Sequence, residues 1–80
     1  MDNTLKQYYD NRFEMFTSKG WKDLVEDVKN MEEVTSNISN CVDEKSFWIA
    51  KGELRILKWI LNLEELSQEA FKGLEEDASL

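Results

Sequence analysis

Residues 47–63, FWIAKGELRILKWILNL, constrain the fold of this chain more than any other stretch, because they are apolar around too much of a helix. At about 100° per residue, the polar side chains Lys51, Arg55, Lys58 and Asn62 fall in one narrow stripe. Most of the remaining circumference is apolar, interrupted by Gly52 and Glu53. A surface helix of a small protein buries one face. This one asks for cover on two.

The two faces resolve into two seams. Phe47, Ala50, Leu54, Leu57 and Leu61 form the first. Ile49, Ile56, Ile60 and Leu63 form the second, flanked by Trp48 and Trp59, with Gly52 where another backbone can approach closely. The second seam continues through Leu66, Ala70 and Leu74. Asp43 fits the N-cap of this helix, and Val42 and Phe47 stand where a hydrophobic staple closes. With Gly73 available as the terminator, the helix is expected over about residues 44–73, or ~45 Å at 1.5 Å per residue.

Two shorter helices precede it. The first, over about 4–17, carries Leu5, Tyr8, Tyr9, Phe13, Met15 and Phe16 on one stripe, with Asn3 or Thr4 as N-cap and a break at Thr17-Ser18-Lys19-Gly20. The second, over about 21–38, spaces Trp21, Leu24, Val25, Val28, Met31, Thr35 and Ile38 by threes and fours. Asp23, Glu26 and Asp27 in its first turns suit the helix dipole. Thr35-Ser36-Asn37 and Ser39-Asn40 soften its end by competing for backbone hydrogen bonds. The absence of proline and the dense Glu, Lys and Leu favour helix throughout. The expected fold is all-α: one domain over residues 1–80, two shorter helices packed on a long C-terminal helix, and an acidic tail over 75–80.

If helix two covers one seam and helix one the other, the result is a self-contained three-helix monomer. Length argues against it. Helix one spans ~21 Å, whereas the second seam, from Ile49 to Leu74, spans ~38 Å. Exposed contiguous apolar surface marks an interface, so Ile49, Gly52, Ile56, Trp59, Ile60, Leu63, Leu66, Ala70 and Leu74 are the candidate interaction residues.

Eighty residues make one domain at most. The single cysteine, Cys41, excludes a disulfide framework and points to a reducing setting. The N-terminus lacks the layout of a secretory signal, and no apolar run approaches the ~20 residues of a membrane span. Asn37-Ile38-Ser39 matches a glycosylation sequon, which has meaning only with secretion. The net charge of −7 disfavours nucleic-acid backbone and anionic membrane as partners. That charge is uneven: zero over 1–19, −3 over 20–42, +1 over 43–63 and −5 over 64–80. Lys51, Arg55 and Lys58 beside Trp48 and Trp59 make a basic, aromatic ridge of the kind that stacks bases. Three cations on so acidic a chain fit a solvated face better, with Arg55 pairing to carboxylates such as Asp27.

Catalysis needs a positioned base or activated nucleophile, and a chain without histidine or a glycine-rich phosphate loop offers none. Zinc needs more Cys or His than are present, and no alternating Asp/Asn loop suits Ca²⁺. No enzyme, cofactor or metal site is expected.

The pattern Phe16-x3-Gly20-Trp21-Lys22-x-Leu24-x-Glu26-Asp27, followed by Phe47-Trp48-x2-Lys51-Gly52-Glu53-Leu54-x2-Leu57-x-Trp59, resembles small acidic proteins of unassigned function from short-tailed double-stranded-DNA bacteriophages. The likeness covers about residues 13–65 and transfers no site residues. It implies a phage origin and a non-enzymatic accessory role, in the host cytoplasm or the virion. The expected function is therefore a virion or assembly component docking through its long apolar helix onto another phage protein or onto itself. The alternative is a host-takeover protein that binds and inhibits a host enzyme, its acidic tail mimicking nucleic acid.

Overall fold

The computed structural model describes residues 1–37 and 41–78, with Ala78 described in its backbone alone. The described residues form four helices and no strand: α1 (Asn3–Phe16), α2 (Lys19–Thr35), α3 (Glu44–Leu61) and α4 (Leu63–Ala78). The fold is all-α, as the sequence led us to expect, but the arrangement of three helices on one long C-terminal rod is overturned. The expected helix over 44–73 is two helices parted at Asn62.

The parting has a local cause. Asparagine competes with helix for backbone hydrogen bonds and is favoured at an N-cap. The Asn62 carbonyl accepts from the Leu66 N–H at 2.9 Å, opening the new helix. Glu64 and Glu65 fall in the first turn of α4, and Lys58 in the last turn of α3, each on the dipole end that suits its charge. At the other end, Gly73 does not terminate the helix. No described glycine has positive φ, and α4 runs on to Ala78, so Glu75, Glu76 and Asp77 are helical.

The chain divides into two compact units, residues 1–22 with 62–80 and residues 23–61. In the first, Asp2 rather than Asn3 or Thr4 caps α1, accepting from the Leu5 N–H at 2.7 Å. The break expected over Thr17-Ser18-Lys19-Gly20 narrows to Thr17 and Ser18, with Lys19 and Gly20 already in the first turn of α2. Ser18 serves both helices. Its hydroxyl donates to the Met15 carbonyl at 2.6 Å, and its Oγ accepts from the Trp21 N–H at 3.1 Å. Helix α1 then packs on α4 through aromatic rings. Phe71 lies 5.5 Å from Tyr9 and 5.3 Å from Phe13, the latter edge-on at 89°, and Phe16 meets Trp21 at 5.0 Å. Phe16 and Trp21 are buried, as is Ser67 on α4.

The second unit holds α2 from Asp23 onward and α3. Asp43 caps α3, accepting from the Ser46 N–H at 2.7 Å. That bond and a second from the Ser46 side chain hold the Asp43 carboxyl below its usual value. The expected staple does not close, since Val42 is 89% exposed. Only Val28 of α2 and Leu57 of α3 are buried apolar residues among those described in this unit. The expected extension of α2 to Ile38, the softening at Ser39-Asn40 and the Asn37-Ile38-Ser39 sequon involve residues outside the described ones. No helix among the described residues is long and apolar enough to cross a membrane.

Candidate functional site

The surface of interest is built on α3, whose circumference divides into three arcs. Leu57 is buried, and Phe47, Ala50, Leu54 and Leu61 are half-buried. Lys51, Arg55 and Lys58 form the exposed polar stripe. The third arc is apolar and exposed: Trp48 at 61%, Ile49 at 53%, Ile56 at 59% and Trp59 at 51%, with exposed Gly52 in its middle. Ile49, Gly52, Ile56 and Trp59 are spaced three, four and three residues apart, the interval that keeps a line of side chains facing a neighbouring helix.

Helix α2 contributes the other wall. Met31 and Thr35 of α2 line a groove of about 430 Å³ with Gly52, Glu53, Ile56 and Leu57 of α3. Two further depressions adjoin it: one of about 360 Å³ along Asn30, Met31, Val34 and Thr35, another of about 600 Å³ along Gly52, Arg55, Ile56 and Trp59. Because the central groove shares Met31 and Thr35 with the first and Gly52 and Ile56 with the second, the three form one continuous surface across both helices. No heavy atom lies within 4 Å of a Cβ placed on Gly52. Among the described residues nothing packs on its bare backbone, which leaves the groove open at that point.

The nine residues picked out from the sequence do not lie along one rod. Ile49, Gly52, Ile56, Trp59 and Ile60 are on α3, whereas Leu63, Leu66, Ala70 and Leu74 are on α4. On α3 all but the half-buried Ile60 are exposed; on α4, Leu66 and Ala70 are exposed and Leu63 and Leu74 half-buried. The ~38 Å seam is thus broken at Asn62, and the exposed arc of α3 takes its place. Sequence reasoning missed the α2 wall. It placed Met31 on a face turned inward with Trp21 and Val28, yet Met31 is 55% exposed and Val34 67%. Val34 beside Met31 was the available signal, since it widens the stripe beyond what one neighbour can cover.

The electrostatics of this unit are split between its helices. From Asp23, α2 carries Asp23, Glu26, Asp27, Glu32 and Glu33 against Lys29, a formal −4. Helix α3 carries Lys45, Lys51, Arg55 and Lys58 against Glu44 and Glu53, a formal +2. The expected pairing of Arg55 with Asp27 is not formed. Lys29 and Glu26 pair at 3.7 Å, within α2 and well exposed; such pairs contribute little. Lys51 leans over the Phe47 ring at 5.6 Å, and the Trp48 indole N–H donates to Glu44 at 3.4 Å. Both of these contacts stay within α3, leaving the apolar arc uncovered.

Among the described residues no cluster of three His, Cys, Asp or Glu is placed to hold a metal ion. Cys41 is a half-buried free thiol. The arrangement offers shape, apolar surface and separated charge. Comparison with protein-family models, with curated proteins and with solved structures finds no match to this chain.

Proposed function

We propose that this protein is a non-enzymatic protein–protein interaction module whose docking face is the continuous apolar surface of α2 and α3. The observation that carries the reading is the exposed arc Trp48, Ile49, Ile56 and Trp59 together with Met31 and Val34. Contiguous apolar patches larger than a few hundred Å² mark interaction sites. Trp59 lines the groove and Trp48 lies exposed on the same arc, and tryptophan is a residue type that anchors interfaces. A groove between helices suits an amphipathic helix laid along it.

The likeness of the Gly20-Trp21 and Lys51-Gly52 segments to small phage proteins supports a virion or assembly component as the setting. Mass spectrometry of purified particles tests it. The chain is expected in particles, and a particle population carrying Ile56→Asp is expected to lose it. Absence of the wild-type chain from particles would refute the assembly role. The host-takeover reading draws on α4, where Glu64, Glu65, Glu69, Glu75 and Glu76 project within about 140° of one another at ~100° per residue and are all exposed. Recovery of a defined host enzyme with the purified protein, lost when these carboxylates are neutralised, is the result that would favour it.

A further inference from the structure

The docking surface of the second unit is complementary to itself, and we infer that its occupant is the same surface of a second copy. Two α2–α3 pairs would close face to face about a two-fold axis into a four-helix bundle, with α2 of each copy on α3 of the other. This inference rests on the docking reading above and names its partner.

Three observations lead to it. The first is size and burial. The unit spans Asp23–Leu61, near the ~40 residues below which a unit needs metal, disulfides or oligomerisation. It has two buried apolar side chains among those described, Val28 and Leu57. Two helices with so little interior of their own gain a larger one from a two-fold partner.

The second is area. Met31, Val34, Trp48, Ile49, Ile56 and Trp59 are each more than half exposed. Taking such side chains as roughly 200 Å² apiece, they leave on the order of 600–700 Å² of apolar surface per copy. A standard stable interface takes about 800 Å² from each partner. With the Gly52 backbone and the rim counted, the surface is of dimer size.

The third is charge. A two-fold interface requires one patch that matches itself. Here α2 from Asp23 carries a formal −4 and α3 a formal +2, with Arg55 and Glu53 of α3 both lining the groove. Placing α3 on α3 would set cationic ridges together, whereas placing α2 on α3 sets opposite signs together at both symmetric contacts. Asp27 lies one turn before Met31 and two before Val34 on α2, at the acidic edge of the patch. Arg55 lines the α3 end of the groove. Among the described residues no ion pair joins Asp27 to Arg55, and both side chains are exposed, where the other's counterpart could reach them across the axis.

Sedimentation equilibrium of the full chain tests this, with circular dichroism as a check on folding. The wild type is expected to dimerise at micromolar concentration. Ile56→Asp, at an exposed position, is expected to keep its helix content and raise the dimer dissociation constant about 100-fold or more. Trp59→Ala gives a second variant that adds no charge, with the same direction and retained helix content. Arg55→Asp and Asp27→Arg should each weaken the dimer about tenfold, and the two together should restore it to within about threefold.

A wild type monomeric at every concentration would overturn the inference, as would a dimer indifferent to Ile56→Asp. A double charge swap that weakens the dimer further instead of restoring it overturns the α2-on-α3 arrangement. The outcomes also separate this inference from the reading beneath it. A monomeric chain whose incorporation into particles still depends on Ile56 would sink the second copy and leave docking standing. A dimer broken by Ile56→Asp, with particle incorporation unaffected, supports the second copy and sinks the assembly role.

Discussion

Phe71 is where the packing of α1 on α4 can be weighed most directly. Its ring lies edge-on to Phe13 at 5.3 Å and 89°, and tilted against Tyr9 at 5.5 Å. Truncating a fully buried Phe to Ala costs about 3–5 kcal/mol. Phe71 is half-buried, so the transfer part falls to about 2 kcal/mol. Each aromatic pair in these geometries adds about 0.5–1.5 kcal/mol beyond burial. Phe71→Ala should therefore lose roughly 3–5 kcal/mol, out of a total of about 4–12 kcal/mol for a chain of this length. A cycle isolates the edge-on pair: Phe13→Leu, Phe71→Leu and both together keep apolar bulk and remove only the ring geometry. Urea unfolding followed by circular dichroism, at one fixed protein concentration because association shifts apparent stability, should show a coupling of about 1 kcal/mol. Single-mutant losses that simply add, within about 0.3–0.5 kcal/mol, would show that the rings do not meet and that α1 is not seated on α4 in this register.

Further outcomes follow from neighbouring positions with opposite environments. Leu57 is 8% exposed and Ile56 59%. Leu57→Asp buries a carboxylate and should lose more than about 3 kcal/mol, while Ile56→Asp in the dilute monomer should stay within about 1 kcal/mol of wild type; equal losses in thermal melts would refute the assignment of faces. Ser18→Ala removes the hydroxyl that bridges α1 and α2 and should cost about 1 kcal/mol, whereas Ser18→Asp, which keeps a cap acceptor, should cost less. Asp43 sets a pH response. Its folded carboxyl titrates below the unfolded value because Ser46 hydrogen-bonds the charged form. Its contribution is therefore full above the unfolded value of about 3.9 and is lost as pH falls through the folded one. The urea midpoint of Asp43→Asn should fall less steeply with acid than that of the wild type; identical acid limbs would refute the cap's role.

Much of the architecture was written in the sequence by local rules. Period and composition determined that the chain is helical, because no proline interrupts it and apolar residues recur by threes and fours. Asp43 announced its helix start, since an N-cap acts over three residues and needs no tertiary partner. The Asn62 break was equally local and equally legible: Asn62 followed by Glu64 and Glu65, with Lys58 behind, is a helix end joined to a helix start. It was masked by an apolar periodicity that runs straight across it. Periodicity reports which side chains share a face, not whether the backbone between them is continuous.

What only the tertiary structure decided is which apolar residues stay wet. Val28 and Met31 stand three residues apart on α2, yet one is 4% exposed and the other 55%. Leu57 and Ile56 are neighbours on α3 with the same disparity. The pattern separates Leu57 from Ile56, which lie about 100° apart. It cannot say which arc is covered or divide Val28 from Met31 on one stripe, because burial depends on the rotation of each helix about its axis and on which neighbour arrives. That rotation turned Phe13 and Phe16 of α1 to face Phe71 and Trp21, and left Met31, Ile56 and Trp59 along an open groove with Gly52. The greasiness of the chain was inherent in its residues; the site arose from where the helices ran out of surface to cover it.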